Sequence, residues 1–194
     1  KGAFDDAATK TCTKCPVGWV QPDEGQASCA ACPESVQQQG TGQATCGCTV
    51  PGDAYIESAA DLAALVARAR TACGGGSAGG PWTLGGALVI RNTADLADVD
   101  ALRNLTGIEG QTQGLSLFIS GNVDLVSVRG LSGLRGNLTG ALIVLGNPRL
   151  TSLDGCEGIE GIEGKSTSNG VSLGLDNNAN LVSVQGLSGL RGTL

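Results

Sequence analysis

The eight cysteines are the residues of this chain whose type and spacing could do chemistry. Six of them lie in the first 48 residues, as the pairs Cys12-x2-Cys15, Cys29-x2-Cys32 and Cys46-x-Cys48. Two Cys-x2-Cys pairs separated by 13 residues come close to a zinc-ribbon spacing. Disulfide bonds are the other chemistry, because this segment has too few aliphatic residues to build a core. A third pair at nearly the same period favours disulfides over zinc.

The period also predicts a connectivity. If the second cysteine of each pair closes onto the first of the next, the bridges are Cys15–Cys29 and Cys32–Cys46, with Cys48 reaching forward to Cys73. Each of the first two bridges would stabilise the segment by about 3 kcal/mol through loop closure. Crossed pairing, Cys12–Cys29 with Cys15–Cys32, also fits the spacing.

Cys12 has no partner in the first scheme. Residues 2–12 are similar to residues 18–29, the second half of the next cysteine unit. We therefore expect residue 1 to fall inside a repeat and the partner of Cys12 to lie upstream of this chain. A free or crossed Cys12 is the alternative.

The pattern CTKCPVGWVQPDEGQASCAACP resembles the ephrin-receptor-like cysteine-rich repeats of extracellular proteins. The resemblance covers residues 1–48. It implies a rod-like spacer outside the cell and no catalytic residues.

Internal repetition dominates the rest of the chain. Residues 125–136 read LVSVRGLSGLRG, and residues 181–192 repeat them with one change. Four apolar strands are predicted, at residues 88–90, 117–119, 142–144 and 173–175. A leucine follows each strand at a similar offset, and the intervals of 29, 25 and 31 residues indicate one turn of stacked chain per repeat. These leucines are Leu96, Leu125, Leu150 and Leu181.

Polar residues recur in the same frame. Asn122, Asn147 and Asn178 follow three of the strands, and we expect their amides to stack as a structural ladder; ligand or metal binding is the alternative. Alternate turns carry inserted loops, at residues 107–114 and, longer, at 158–170. Aligning the two loops places Cys156 opposite Leu105, which predicts a buried thiol rather than a reactive cysteine.

One helix is predicted before the repeats. Ser58 followed by Asp61 is typical of a helix N-terminus, and residues 59–72 are strong helix formers with one apolar face. The glycine-rich residues 74–81 predict a loop. We expect the helix to cover the open end of the repeat core; a membrane-active helix is the alternative.

Residues from about 50 to 194 resemble the receptor L-domain, through segments such as LVIRNTADLADVDALRNLTGIEG and SLFISGNVDLVSVRGLSGLRGNLTG. The resemblance implies a right-handed parallel β-helix related to leucine-rich repeats, as in protist or algal surface proteins. The predicted fold is thus mainly β, with a disulfide-rich module at 1–48 and an L-domain-like β-solenoid with one N-terminal capping helix at 49–194. We expect this solenoid to be incomplete at its C-terminal end, because no further strand follows residue 192.

Composition and motifs restrict the function. A net charge of −6 without a basic cluster disfavours nucleic-acid binding, and the longest apolar run, at residues 141–145, is far short of the roughly 20 residues of a membrane span. The chain has no histidine, and we expect neither catalysis nor a cofactor or metal. Asn104-Leu-Thr106 and Asn137-Leu-Thr139 are N-glycosylation sequons, and with the cysteines they predict a secreted, extracellular location.

The predicted function is a non-catalytic structural or interaction segment of a larger surface or filament glycoprotein, in a cell-wall, adhesive or mastigoneme-like assembly. Its expected partners are other protein subunits or further copies of the chain, besides N-linked glycans. The alternative is the ligand-binding ectodomain of a cell-surface receptor. Carbohydrate binding is a weaker option, because Trp19 and Trp82 are too far apart in sequence to suggest a row of exposed aromatic rings.

Overall fold

The computed structural model describes residues 3–6, 11–14, 19–20, 30–31, 48–73 and 80–191. The chain divides into two compact units. The first consists of Lys1–Thr49 with Arg70–Gly80, and the second of Val50–Ala69 with Pro81–Leu194. The predicted domain boundary between residues 48 and 49 stays a prediction.

The described backbone of the first unit forms two short antiparallel pairs, β1 (Ala3–Asp6) with β2 (Thr11–Lys14) and β3 (Trp19–Val20) with β4 (Ala30–Ala31). Cys48 and Cys73, a pair expected from the sequence, form a disulfide bond in this unit with their Cα atoms 5.5 Å apart. The other predicted bridges, Cys15–Cys29 and Cys32–Cys46, lie outside the described residues. So does the side chain of Cys12.

A five-stranded parallel sheet organises the second unit, and the order of its strands follows the sequence repeats. Each repeat contributes one strand, and alternate residues of each strand are apolar and face the core. Ile56, Ile90, Ile119, Val144 and Leu175 stand side by side in register. From one edge to the other the strands are β6 (Ala54–Ile56), β8 (Leu88–Arg91), β10 (Leu115–Ser120), β12 (Ala141–Leu145) and β14 (Leu173–Asp176).

Each repeat also contributes to a second row of strands and to a turn. The second row consists of β5 (Thr49–Val50), β7 (Trp82–Leu84) and β9 (Leu105–Ile108) in one sheet, and of β11 (Gly136–Leu138) and β13 (Ile159–Ile162) in another. Three of the turns are the 3-10 helices η1 (Asp100–Leu102), η2 (Arg129–Leu131) and η3 (Gln185–Leu187). The architecture is therefore mainly β, with parallel sheets that are compatible with the predicted β-helix.

The core of the second unit is aliphatic, as its composition requires. Residues 125, 128 and 131, which the sequence places at intervals of three, are all 0% exposed. Each such side chain stabilises the fold by about 1.5–3 kcal/mol through burial. Intervals of three suit the 3-10 turn at η2, in which the side chains at i and i+3 point the same way.

Glycine is required where successive repeats touch at these turns. A Cβ atom on Gly155 would lie 2.6 Å from the carbonyl oxygen of Val128 in the preceding repeat. A Cβ on Gly130 or Gly186 would collide with the preceding repeat in the same way. The high glycine content thus lets the repeats pack backbone against backbone.

The single described α-helix, α1 (Ala59–Ala72), has the predicted span. Ser58 Oγ accepts a hydrogen bond from Asp61 N (3.2 Å) and donates one to Asp61 Oδ2 (2.7 Å), which also accepts from Glu57 N (3.1 Å). This reciprocal cap satisfies donors that the first helical turn leaves open. The hydrogen bonds from Ser58 and Glu57 lower the pKa of Asp61. The helix buries Leu62, Leu65 and Ala69, on the face predicted to be apolar.

Candidate functional site: a groove on the five-stranded sheet

The outer face of the five-stranded sheet carries a row of apolar side chains. Tyr55, Val89, Phe118 and Ile143 are neighbours in register on four adjacent strands. Tyr55 is 48% exposed, whereas Val89 and Ile143 are buried. The fifth position in the row is Gly174, and a Cβ atom there would lie only 2.9 Å from Ile143 Cδ1. The outer face therefore has an apolar floor with an aromatic ring at its β6 edge.

Two long loops border this floor, and both come from alternate repeats. Residues 109–114 connect β9 to β10, and residues 163–172 connect β13 to β14. The other three repeats make the same connection through the short corners 51–53, 85–87 and 139–140. The two long loops contact each other across the short corner, because Thr167 donates hydrogen bonds from N and Oγ1 to Gln113 O, both of 3.0 Å. The insertions seen in the sequence thus form one wall.

The first loop is held by a tight turn. Thr112 and Leu115 exchange backbone hydrogen bonds of 2.9 and 2.8 Å around Gln113 (φ 50°) and Gly114 (φ 76°). Two successive positive φ angles are typical of a type I′ turn. A Cβ atom on Gly114 would collide with the carbonyl oxygen of Lys165 in the second loop. Glycine at this position therefore also permits the contact between the loops.

The second loop is organised around Ser166, which is 4% exposed. Ser166 N donates to Val171 O (3.0 Å), and Ser166 O accepts from Gly170 N (2.9 Å). The Ser166 hydroxyl accepts from Ser168 N (3.3 Å) and lies 2.8 Å from Ser168 Oγ. Hydrogen bonds inside the loop therefore hold its polar side chains in place at the edge of the floor.

Floor and wall together enclose a groove of about 620 Å³, which we call the sheet groove. Its size is in the range of sites that bind small molecules or single side chains, roughly 300–1,000 Å³. The lining combines apolar residues of the sheet with hydroxyl and amide groups of the loops. These residues are Tyr55, Val89, Arg91, Thr112, Gln113, Leu115, Phe118, Ile143, Leu145, Ser166, Ser168 and Asn169.

Arg91 is the charged residue of this lining. Its guanidinium lies 5.8 Å from the centre of the Tyr55 ring, and its Nη2 and Nε atoms lie 2.7 and 2.8 Å from Glu57 Oε1. Such a half-exposed ion pair contributes less than about 1 kcal/mol, and the cation–π contact about 0.5–1 kcal/mol. The ion pair places the Arg91 guanidinium beside the half-exposed Tyr55 ring. The groove therefore offers apolar contacts, an aromatic ring and hydrogen-bonding groups. Such groups are suited to binding another molecule.

The three predicted ladder asparagines do stack on one another. Asn147 Oδ1 accepts from Asn122 N (3.2 Å) and Nδ2 (2.9 Å), and Asn178 Oδ1 accepts from Asn147 N (2.9 Å) and Nδ2 (3.0 Å). The Nδ2 groups also donate to backbone carbonyls of neighbouring repeats. Asn122 and Asn147 are 0% exposed. These amides are engaged with one another and with the backbone, as a structural role requires.

The ladder has a first rung that the sequence analysis missed. Thr93 donates to Asn122 Oδ1 from both its N (3.1 Å) and its Oγ1 (3.0 Å), and it is 0% exposed. Thr93 stands three residues before Leu96, as each ladder asparagine stands three before its own leucine. That offset was the signal that could have found it.

A second polar column runs alongside the turns, and it too was missed. In four successive repeats a side-chain oxygen accepts a hydrogen bond from the backbone N two residues later, at the start of the turn. The pairs are Asp98 with Asp100 N (3.0 Å), Ser127 with Arg129 N (3.2 Å), Ser152 with Asp154 N (3.4 Å) and Ser183 with Gln185 N (3.3 Å). Their intervals equal those of the recurring leucines.

Cys156 is a free, buried thiol, 2% exposed. Burial raises the pKa of this thiol to about 12, and the neighbouring Glu157 carboxylate adds to the rise. The predicted alignment with Leu105 is wrong. The strand pairs Leu84–Ile108 and Leu138–Ile162 place Ile159 at the position of Leu105, and Cys156 at that of Leu102. The overlapping copies of GIEG at 158–161 and 161–164 caused the error, because the second copy is the counterpart of 107–110.

The two sequons lie on different elements. Asn137 is exposed in β11, whereas Asn104 is half-buried in the turn before β9. Neither residue lines the sheet groove. The aromatic residues on the sheet face are Tyr55 and Phe118, which the sequence analysis did not single out. Their strand alternation was the available signal, but only the register places them in one row.

Residues 2–46 match the family model described as "Tyrosine-protein kinase ephrin type A/B receptor-like". This match supports the predicted ephrin-receptor-like segment. A search of curated proteins and a search of solved structures returned no significant match to the chain. Within the part of the chain that the structure describes, no helix has the length and apolar character needed to span a membrane. The family match and the disulfide bond are consistent with an extracellular region of receptor type.

Proposed function

We propose that this chain is a non-catalytic interaction segment of a larger extracellular surface or filament glycoprotein. In this proposal residues 49–194 form a right-handed parallel β-helix of the receptor L-domain type, and residues 1–48 form a cysteine-rich spacer. The parallel sheet supports the proposal, since its strand order follows the repeats. Connections between parallel strands of one sheet are right-handed in nearly all proteins.

The sheet groove is the observation that carries this function. Its two long loops belong to alternate repeats and are joined by hydrogen bonds. The wall of the groove is therefore a regular part of the repeat structure. An aromatic side chain at the rim of an apolar concavity is typical of a protein-binding surface. The partner is another subunit or a further copy of the chain. Both sequons lie outside the groove, so that glycans leave it open.

The second candidate is a ligand-binding receptor ectodomain, which the receptor-like family match at residues 2–46 favours. The same groove would then bind a soluble extracellular ligand. The two candidates differ in the identity of the partner and share the surface.

Photo-crosslinking tests the groove and separates the candidates. Tyr55 and Val123 are 48% and 49% exposed, but only Tyr55 lines the groove. The photoreactive residue p-benzoylphenylalanine is placed at one or the other position, and each chain is irradiated with extracellular material of the source cells. We expect an adduct from position 55 and none from position 123.

The peptide sequence of the adduct identifies the partner. A surface or filament subunit, or the chain itself, supports the first candidate, and a soluble ligand supports the second. Equal labelling from the two positions, or no labelling from position 55, contradicts the groove as the binding surface.

A further inference from the structure

The surface of the second row of strands provides a place for a covalent modification. Asn137 lies in β11 with its side chain exposed, and its partner in β13 is Gly161. A Cβ atom on Gly161 would lie 2.8 Å from Asn137 Oδ1. The absence of a side chain at this position therefore leaves the Asn137 amide free to lie over the neighbouring strand.

The amide is held in an orientation that tolerates substitution. Asn137 Nδ2 donates one hydrogen bond to Glu163 Oε1 at 2.7 Å. A primary amide nitrogen carries two hydrogens, so that one can be replaced while the other continues to donate. A substituent on Nδ2 would then extend away from the strand, because the residue is exposed on its outer side.

The other sequon lies in a different environment. Asn104 is half-buried in the turn before β9, and its carbonyl oxygen accepts a 2.9 Å hydrogen bond from Trp82 N. Trp82 is 4% exposed. Thr106 Oγ1 donates to Trp82 O at 3.0 Å, and Thr139 Oγ1 of the other sequon likewise donates to Glu109 O at 3.3 Å. The two sequons therefore differ in the exposure of their asparagines, since Asn104 is half-buried and Asn137 is exposed.

We propose that Asn137 carries an N-linked glycan in the mature protein and that Asn104 does not. The donor is a lipid-linked oligosaccharide diphosphate. A bond forms between Asn137 Nδ2 and C1 of the first sugar, the bond from C1 to the diphosphate oxygen breaks, and Nδ2 loses one proton. This inference rests on the proposed extracellular function, since only a chain in the secretory pathway meets that donor.

The test uses the full chain, secreted from insect cells behind a signal sequence, with the variants Asn137→Gln and Asn104→Gln. Intact mass is measured before and after treatment with a peptide N-glycosidase. We expect the wild-type chain and Asn104→Gln to lose the mass of one glycan, and Asn137→Gln to lose none. Thr139→Ala removes the same sequon without changing Asn137 and is expected to behave like Asn137→Gln.

Two controls keep the result specific to the site. Glutamine at position 137 retains an amide that can reach Glu163, and protection of the buried Cys156 thiol from labelling reports that each variant is folded. A folded wild-type chain that loses no glycan or two glycans, or a single glycan that is lost in Asn104→Gln and kept in Asn137→Gln, overturns the proposal. Because secretion is imposed in this experiment, these outcomes concern the site alone. The proposed location itself fails if native material holds Cys48 and Cys73 as reduced thiols.

Discussion

Two valines in nearly identical local sequences provide a stringent test of this structure. Val128 and Val184 occupy the same position in the two copies of the twelve-residue repeat. Val128 is 0% exposed, whereas Val184 is 52% exposed. Truncation of each valine to alanine removes the same atoms from local sequences that differ only in the next residue, Arg129 or Gln185. A large difference in cost therefore comes from packing.

The magnitudes follow from burial. The transfer free energy of the atoms that separate valine from alanine is about 1.6 kcal/mol, at about 0.8 kcal/mol for each of two carbon groups. At Val128 a cavity adds to this cost, and we expect about 2–3 kcal/mol in total. At Val184 about half of the transfer term applies and no closed cavity forms, so that we expect less than about 1 kcal/mol.

Urea denaturation followed by circular dichroism measures both variants against the parent chain. Equal m-values are required, because a change in m would report a change in compactness rather than in stability. We expect the Val128→Ala midpoint to fall by at least twice as much as that of Val184→Ala. Equal shifts would refute the assignment of the two repeats to different packing environments.

Three further outcomes are expected. Asn147→Ala should lower the free energy of unfolding by about 3–5 kcal/mol, because it leaves buried donors of Asn122 without an acceptor. Asn169→Ala, at an exposed position, should lower it by less than about 1 kcal/mol, and the same urea denaturation measures both variants. Cys156 should resist a thiol reagent at pH 8 and react only after unfolding, since its pKa of about 12 keeps it neutral; rapid labelling of the folded chain would contradict its burial. Because the pKa of Asp61 is lowered in the folded state, its stabilising effect should be present above the unfolded pKa of about 3.9 and be lost as the pH falls through the folded pKa. Asp61→Asn should therefore reduce the dependence of helix content on acid pH. An unchanged pH profile would count against the cap.

Much of the fold could be predicted because its signals are local. The span of α1, the short apolar strands and the recurrence of Asn122, Asn147 and Asn178 all appear as periodic residue types. The error at Cys156 has a physical cause. Two overlapping copies of GIEG are equally good local matches to residues 107–110, and only the pairing of Leu138 with Ile162 decides between them.

The sheet groove was also only partly predictable from the sequence. The inserted loops were visible in the sequence as departures from the repeat, and so was the glycine that permits a tight turn. Their meeting over the floor was not predictable, because the hydrogen bonds from Thr167 to Gln113 join residues 54 positions apart. The row formed by Tyr55 and Phe118 likewise depends on strand register, which a single strand does not determine.

The duplicated repeat separates what the sequence alone determined from what the tertiary structure decided. Val128 has φ −112° and ψ 18°, and Val184 has φ −113° and ψ 18°, and each precedes a 3-10 turn of the same length. Backbone conformation here follows from short-range sterics and turn hydrogen bonds, which nearly identical sequences share. Burial does not follow from the local sequence, because a side chain is shielded from solvent only by the residues that pack against it. The sequence therefore determined the shape of the turn in both copies, and tertiary packing decided how far each valine is buried.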